Sequence, residues 1–195
     1  MSLVQASFEP ASENTGLLRG ALSHEHPRAR VLAMRGLARR SELTSNEWET
    51  LVTDSDPEVR RETLAEIGTL GKSPVASGRL VSLLHDEDSL VAEAAAFAIG
   101  ECGVLEGEAG LQAMLAQHED ARCRETAVVS LGLLSRDSSR QAIIDALSDK
   151  PTVRRRAIVA LASFEGKDID DALDVAATDR DWQVRSAVEQ LRRDS

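Results

Sequence analysis

The 195-residue chain is 42% hydrophobic but only 3% aromatic, has no Tyr, and carries a formal net charge of −10 from 23 basic and 33 acidic residues. No apolar run reaches the roughly 18 residues of a membrane-spanning helix, no basic start with an apolar block marks a secretion signal, and two Cys without motif spacing exclude a disulfide framework, so a reducing, cytoplasmic setting is expected. Residues 41–120 hold 17 acidic against four basic groups, while 1–40 hold three against six and 121–195 hold 13 of each; this middle disfavours a nucleic-acid partner and favours a basic one.

In chain order, residues 1–14 read as an arm whose Val4 and Phe8 can fold back as a cap on the first helices. Then one pattern recurs. It runs as "HPRARVLAMRGLA" (His26 to Ala38), "DPEVRRETLAEIG" (Asp56 to Gly68) and "DSLVAEAAAFAIG" (Asp88 to Gly100). It returns as "DARCRETAVVSLG" (Asp120 to Gly132), "KPTVRRRAIVALA" (Lys150 to Ala162) and "DWQVRSAVEQLRR" (Asp181 to Arg193). The fourth residue of each, taken as position 0, is Ala29, Val59, Val91, Cys123, Val153 and Val184, at intervals of 30, 32, 32, 30 and 31 residues. A near-constant interval of this length marks a repeat array, one elongated body rather than separate globular domains.

Each copy is helical by its apolar spacing. Positions 0, 4, 5 and 8 share one side of a 3.6-residue helix; they hold Val59, Thr63, Leu64 and Ile67 in the second copy and Cys123, Ala127, Val128 and Leu131 in the fourth. Small residues at position 4 let neighbouring helices approach. Asp56, Asp88, Asp120 and Asp181 at position −3 can cap free amides, and Pro27, Pro57 and Pro151 follow where a first helical residue needs no N–H. Gly68, Gly100 and Gly132 at position 9 signal either close packing or an early helix end. In the last copy Glu189 and Arg192 replace apolar residues, as expected of a water-facing terminal unit.

A shorter apolar stretch precedes each later copy: Glu47 to Val52, Gly78 to Leu84, Leu111 to Ala116, Gln141 to Leu147 and Asp171 to Ala177. "TSNE" (Thr44 to Glu47) has the form of a capping box opening the first of these. Each repeat is therefore helix, tight turn, helix, with units near 15–40, 44–71, 73–103, 106–135, 138–166 and 167–195. The predicted fold is all-α: an α-solenoid, a right-handed superhelix of six antiparallel helix pairs.

These second helices resemble HEAT repeats, in particular the short bacterial form named after phycobilisome lyases, whose second helix reads roughly D-x-x-V-R-x-x-A-x-x-A-L-G. The likeness is strongest at Asp56, Val59, Arg60, Ile67 and Gly68 and at Asp120, Arg124, Ala127, Leu131 and Gly132, and covers roughly residues 15–195. It implies a non-catalytic interaction scaffold; the alternative is an enzyme or enzyme subunit of bilin-lyase type, for which no pigment site can be located. Tetratricopeptide and ankyrin signatures are absent.

Two other enzyme families of similar build do not fit. The di-iron deoxyhypusine hydroxylases carry His-Glu at positions 2 and 3 of several second helices. This chain has Val31-Leu32, Arg61-Glu62, Glu93-Ala94, Glu125-Thr126, Arg155-Arg156 and Ser186-Ala187 there. The HEAT-like alkylpurine DNA glycosylases need a basic concave face, whereas this middle is acidic. The turns holding His24 to His26, His85 to Asp88 and His118 to Asp120 read as solvated rather than metal-binding, and Cys102 and Cys123 as buried thiols. No catalytic residue, metal or cofactor is assigned.

Two columns remain. Position 1 is Arg30, Arg60, Arg124, Arg154 and Arg185, broken only by Ala92. Each Arg is expected to bond turn carbonyls or the neighbouring repeat's Asp at position −3, joining repeats. Position 6 points away from the buried side, yet Phe97, Val129 and Val159 are apolar there, flanked by Glu93 and Glu125 and, further along, by Arg155 and Arg156. An apolar strip rimmed by charge suits a peptide groove. These seven residues are the candidate partner-binding site on the concave face, for an amphipathic or basic segment of another protein. The competing reading is that curvature packs Val129 against Val159. Val31 and Leu32 give the first repeat a second apolar surface, for the arm or another chain to cover.

Overall fold

The computed structural model describes residues 14–194 together with Val4. Phe8 and most of the expected arm lie outside the described residues; Val4 is exposed and Asn14 buried. Among the described residues there are twelve α-helices in six consecutive pairs and no strand. The pairs are α1 (Thr15–Ala21) with α2 (Pro27–Arg39), α3 (Ser45–Val52) with α4 (Pro57–Leu70), and α5 (Ser77–Leu83) with α6 (Ser89–Glu101). They continue with α7 (Glu108–Gln117) and α8 (Ala121–Leu134), α9 (Arg140–Asp145) and α10 (Pro151–Leu161), then α11 (Lys167–Ala176) and α12 (Trp182–Asp194). The even-numbered helices stack in chain order and each odd-numbered helix packs on its partner, which makes the fold an α-solenoid.

Helix starts follow local chemistry. Asp56, Asp88, Asp120 and Asp181 accept N–H bonds at the openings of α4, α6, α8 and α12, at 2.8–2.9 Å. Thr44 and Glu47 close a reciprocal capping box on α3. Pro27, Pro57 and Pro151 begin α2, α4 and α10, where no intrahelical donor is needed.

The core is built from the predicted columns. Met34, Leu64, Ala96, Val128 and Ile158 at position 5, and Leu37, Ile67, Ile99, Leu131 and Leu161 at position 8, are at most 1% exposed. Each large side chain so removed from water contributes on the order of 1.5–3 kcal/mol. First helices complete the layer with residues such as Trp48, Leu80, Leu111 and Ile143. Glu189 and Arg192 on α12 are exposed.

The glycines at position 9 serve close packing, because α4, α6 and α8 all run past them. A Cβ on Gly132 would stand 2.9 Å from Cα of Ala160, and one on Gly100 2.9 Å from Cα of Ser130. At Gly68 it would meet the Phe97 ring.

The Arg column joins repeats through a different carboxylate from the one expected. Arg60 holds both oxygens of Asp86 at 2.7 and 2.8 Å, while its third nitrogen donates to the Asp54 and Ser55 carbonyls of its own turn. Arg30 repeats this on Asp54, Arg124 on Asp149 and Arg154 on Asp179. These acceptors stand at position −5, or −4 for Asp149, and not at −3, where the Asp side chain caps its own helix instead. Arg124 and Arg154 hold the Asp149 and Asp179 carboxyls below the usual carboxylate range through these hydrogen bonds. Arg185, in the last repeat, bonds the Asp179 and Arg180 carbonyls and, among the described residues, no carboxylate.

The single gap is matched on both sides. Ala92 stands where Arg belongs, and in the next turn His118 stands where Asp belongs. His118 Nδ1 accepts the Asp120 N–H at 3.1 Å, the local bond that Asp54, Asp86 and Asp179 make in their own turns. His24 does the same in the first repeat. That junction between the third and fourth repeats is joined otherwise: Ser130 Oγ donates to the Ala96 carbonyl at 2.8 Å, beside the close approach at Gly100.

Candidate functional site

Position 6 faces away from the core because positions 4, 5 and 8 face into it. On α8 and α10 this leaves Val129 half-buried and Val159 56% exposed, and on α6 Phe97 is 37% exposed with its ring lying over Gly68. Neighbouring side chains therefore leave apolar surface open at Phe97 and Val159.

Two clefts run along this face. The first, of 270 Å³, lies between α6 and α8 and is lined by Phe97, Val129, Glu93, Glu125 and Arg156, all from the predicted set. The second, of 510 Å³, lies between α10 and α12 and is lined by Arg155, Arg156 and Val159 with Ala187, Gln190 and Leu191. Arg156 borders both. Phe97 and Val159 thus line different clefts.

Leu133, Glu101 and Arg122 also line the first cleft. Leu133 is 53% exposed and one turn beyond Val129, so the apolar floor continues down α8. The i, i+4 spacing of Val129 and Leu133 carried the signal, but Gly132 as a possible helix stop obscured it. Arg122 forks onto Asp120 at 2.6 and 3.3 Å, and that hydrogen bond holds the Asp120 carboxyl down to about 2.

The charges here differ from those of the first two repeats. Arg35 and Arg61 both meet Glu62 there. Around the clefts, the Glu93 carboxylate accepts only a long contact from the Thr126 hydroxyl, 3.5 Å, and Arg155 donates to the neutral Gln183 amide at 2.8 Å. No salt bridge among the described residues engages Glu93, Glu101, Glu125, Arg155 or Arg156.

Among the described residues, no three His, Cys, Asp or Glu side chains are grouped so as to hold a metal ion. Cys123 is buried, its thiol pushed up to about 11 by that burial, and donates to the Ser89 carbonyl at 3.2 Å. Cys102 is half-buried at the end of α6 rather than within the core. No helix of the described residues is long and apolar enough to cross a membrane.

Comparison with known proteins adds three findings. The sequence profile of the family described as HEAT repeats matches residues 14–100 and 108–192. No curated protein matches the chain by sequence. Among solved structures, an engineered protein is similar at TM-score 0.67 with 19% identity, covering 91% of this chain and 96% of its own. A designed armadillo repeat protein in complex with the peptide (KR)4 is similar at TM-score 0.61 and 16% identity, covering 98% of this chain and 97% of that one. Human deoxyhypusine hydroxylase, in complex with glycerol, is similar at TM-score 0.52 and 17% identity, covering 98% and 87%. At these identities the likeness is one of fold.

Proposed function

Since the chain belongs to the HEAT-repeat family, we propose that it is a non-catalytic, cytoplasmic scaffold that takes a segment of another protein on its inner face, across α6, α8 and α10. One observation carries the reading. Phe97, Leu133 and Val159 stay exposed on successive second helices, with Val129 half-buried between them, where a helix of a finished core would place polar groups. Apolar surface bordered by charge is the usual anatomy of a segment-binding groove. The armadillo neighbour's (KR)4 peptide supports a peptide-like occupant for this type of fold.

The test compares affinity capture by wild type and by the Phe97→Asp/Val129→Asp variant, after circular dichroism has shown equal helicity. A protein retained by wild type is then titrated against both. At least tenfold weaker binding by the variant is expected. Equal affinity would remove this face from the function.

A further inference from the structure

The first cleft gathers Glu93, Glu101 and Glu125 with Arg156 at its edge, the second is lined by Arg155 and Arg156 with no carboxylate, and this gradient specifies the occupant more narrowly than a basic or amphipathic segment. Resting on the groove reading above, we propose that the segment is charge-polarised: basic side chains over α6 and α8, acidic side chains over α10, and apolar residues between.

Charge pairing within the fold is the first argument. On the same face of the first repeats, Arg35 and Arg61 both pair with Glu62. Glu93, Glu101 and Glu125 remain without an ion pair around Phe97, Val129 and Leu133, and the nearby Arg122 is committed to Asp120. One helix further on, Arg155 donates to a neutral amide, and among the described residues neither Arg155 nor Arg156 is in a salt bridge. An all-basic occupant would satisfy the first cleft and be repelled at the second; an all-acidic one would suffer the reverse.

Spacing supplies the second. Glu93, Glu125 and Arg155 occupy the same position, 2, on three consecutive second helices. Packed helices lie about 8–10 Å apart, and an extended chain rises roughly 3.3 Å per residue. A segment crossing the stack therefore advances about three residues per helix. Its basic side chains fall at i and about i+3, and its acidic one about three residues beyond. Apolar side chains between them reach Phe97, Val129 and Val159. The chain's own residues 1–13 contain Glu9 and Glu13 but no Lys or Arg, so they lack the basic half of such a segment.

The probe is a phage-displayed library of random peptides, selected on full-length wild type and on three variants of equal helicity. These are Glu93→Lys/Glu125→Lys, Arg155→Glu/Arg156→Glu, and the Phe97→Asp/Val129→Asp variant. Wild type is expected to enrich peptides with Lys or Arg toward one end and Asp or Glu toward the other, and the direction of the sequence reads the direction of binding. The Arg155→Glu/Arg156→Glu variant should convert the enriched set to uniformly basic peptides and weaken a resynthesised wild-type peptide at least tenfold by fluorescence anisotropy. Uniformly basic or uncharged enrichment on wild type, no enrichment, or indifference to the Arg reversal overturns the polarity. If the Phe97→Asp/Val129→Asp variant also enriches the wild-type set, the groove reading itself falls.

Discussion

Arg60 shows how one side chain joins two repeats. Its fork closes on Asp86 while its remaining nitrogen satisfies carbonyls that the turn before α4 leaves without helical partners, and both charged side chains are at most 10% exposed. Truncation strands a shielded carboxylate, and hydrogen bonds to charged groups contribute about 1.5–3 kcal/mol. Arg60→Ala is therefore expected to destabilise the protein by about 2 kcal/mol in urea unfolding. Arg185 offers an internal control, because among the described residues it bonds carbonyls of its own turn and no carboxylate. Arg185→Ala should cost about 1 kcal/mol or less, and equal losses would show that the inter-repeat carboxylate adds nothing. The spacing of Arg was readable in the sequence, its acceptor was not. Asp54-Ser55-Asp56 and Asp86-Glu87-Asp88 offer two carboxylates two residues apart. Only the turn geometry, which aims one at the helix it precedes and the other at the repeat before, separates them.

At the scale of the element, the second helices are drawn together by what they lack. Ala at a helix interior normally stabilises by about 1 kcal/mol relative to Gly. At Gly132 the sign should reverse, because the new methyl would press on the Ala160 backbone, and overpacking costs about 1–3 kcal/mol. Gly20 on α1 has nothing within 4 Å of its virtual Cβ. Gly132→Ala is expected to lower the melting temperature and Gly20→Ala to raise it; a rise for both would mean that α8 and α10 can separate without loss. The same closeness explains the third junction. Ala92 replaces an Arg on a helix that is itself Ala-rich, and there Ser130 and Gly100 take over the join. Ala92 stands on the same helix as Phe97, so the junction that carries the first cleft is the one without an Arg clamp.

Across the whole molecule, each repeat leans on its neighbours, so stability follows how much of each helix those neighbours cover. Among the described residues of α12, only Val184 and Val188 are fully buried, while Glu189 and Arg192 face water. Native-state hydrogen exchange should show α12 amides opening at least tenfold faster than those of α6 and α8, whose columns are covered on both sides. Uniform protection would mean that the array unfolds only as one unit. Electrostatics also divides along the array, since a strongly acidic middle meets a balanced final third. The two clefts lie along that transition.

What the sequence determined by itself was periodic: the six helix pairs, the buried columns, the caps and the exposed position 6. Apolar burial and helical pitch repeat every 30 to 32 residues, so each copy states the same local physics again and errors average out. The tertiary structure decided what depends on which surfaces meet. It chose the Asp that receives each Arg, carried α8 past Gly132 so that Leu133 extends the apolar floor, and divided Phe97 and Val159 between two clefts. Those outcomes follow from the angle and closeness with which one repeat sits on the next, and a one-dimensional pattern does not contain that geometry.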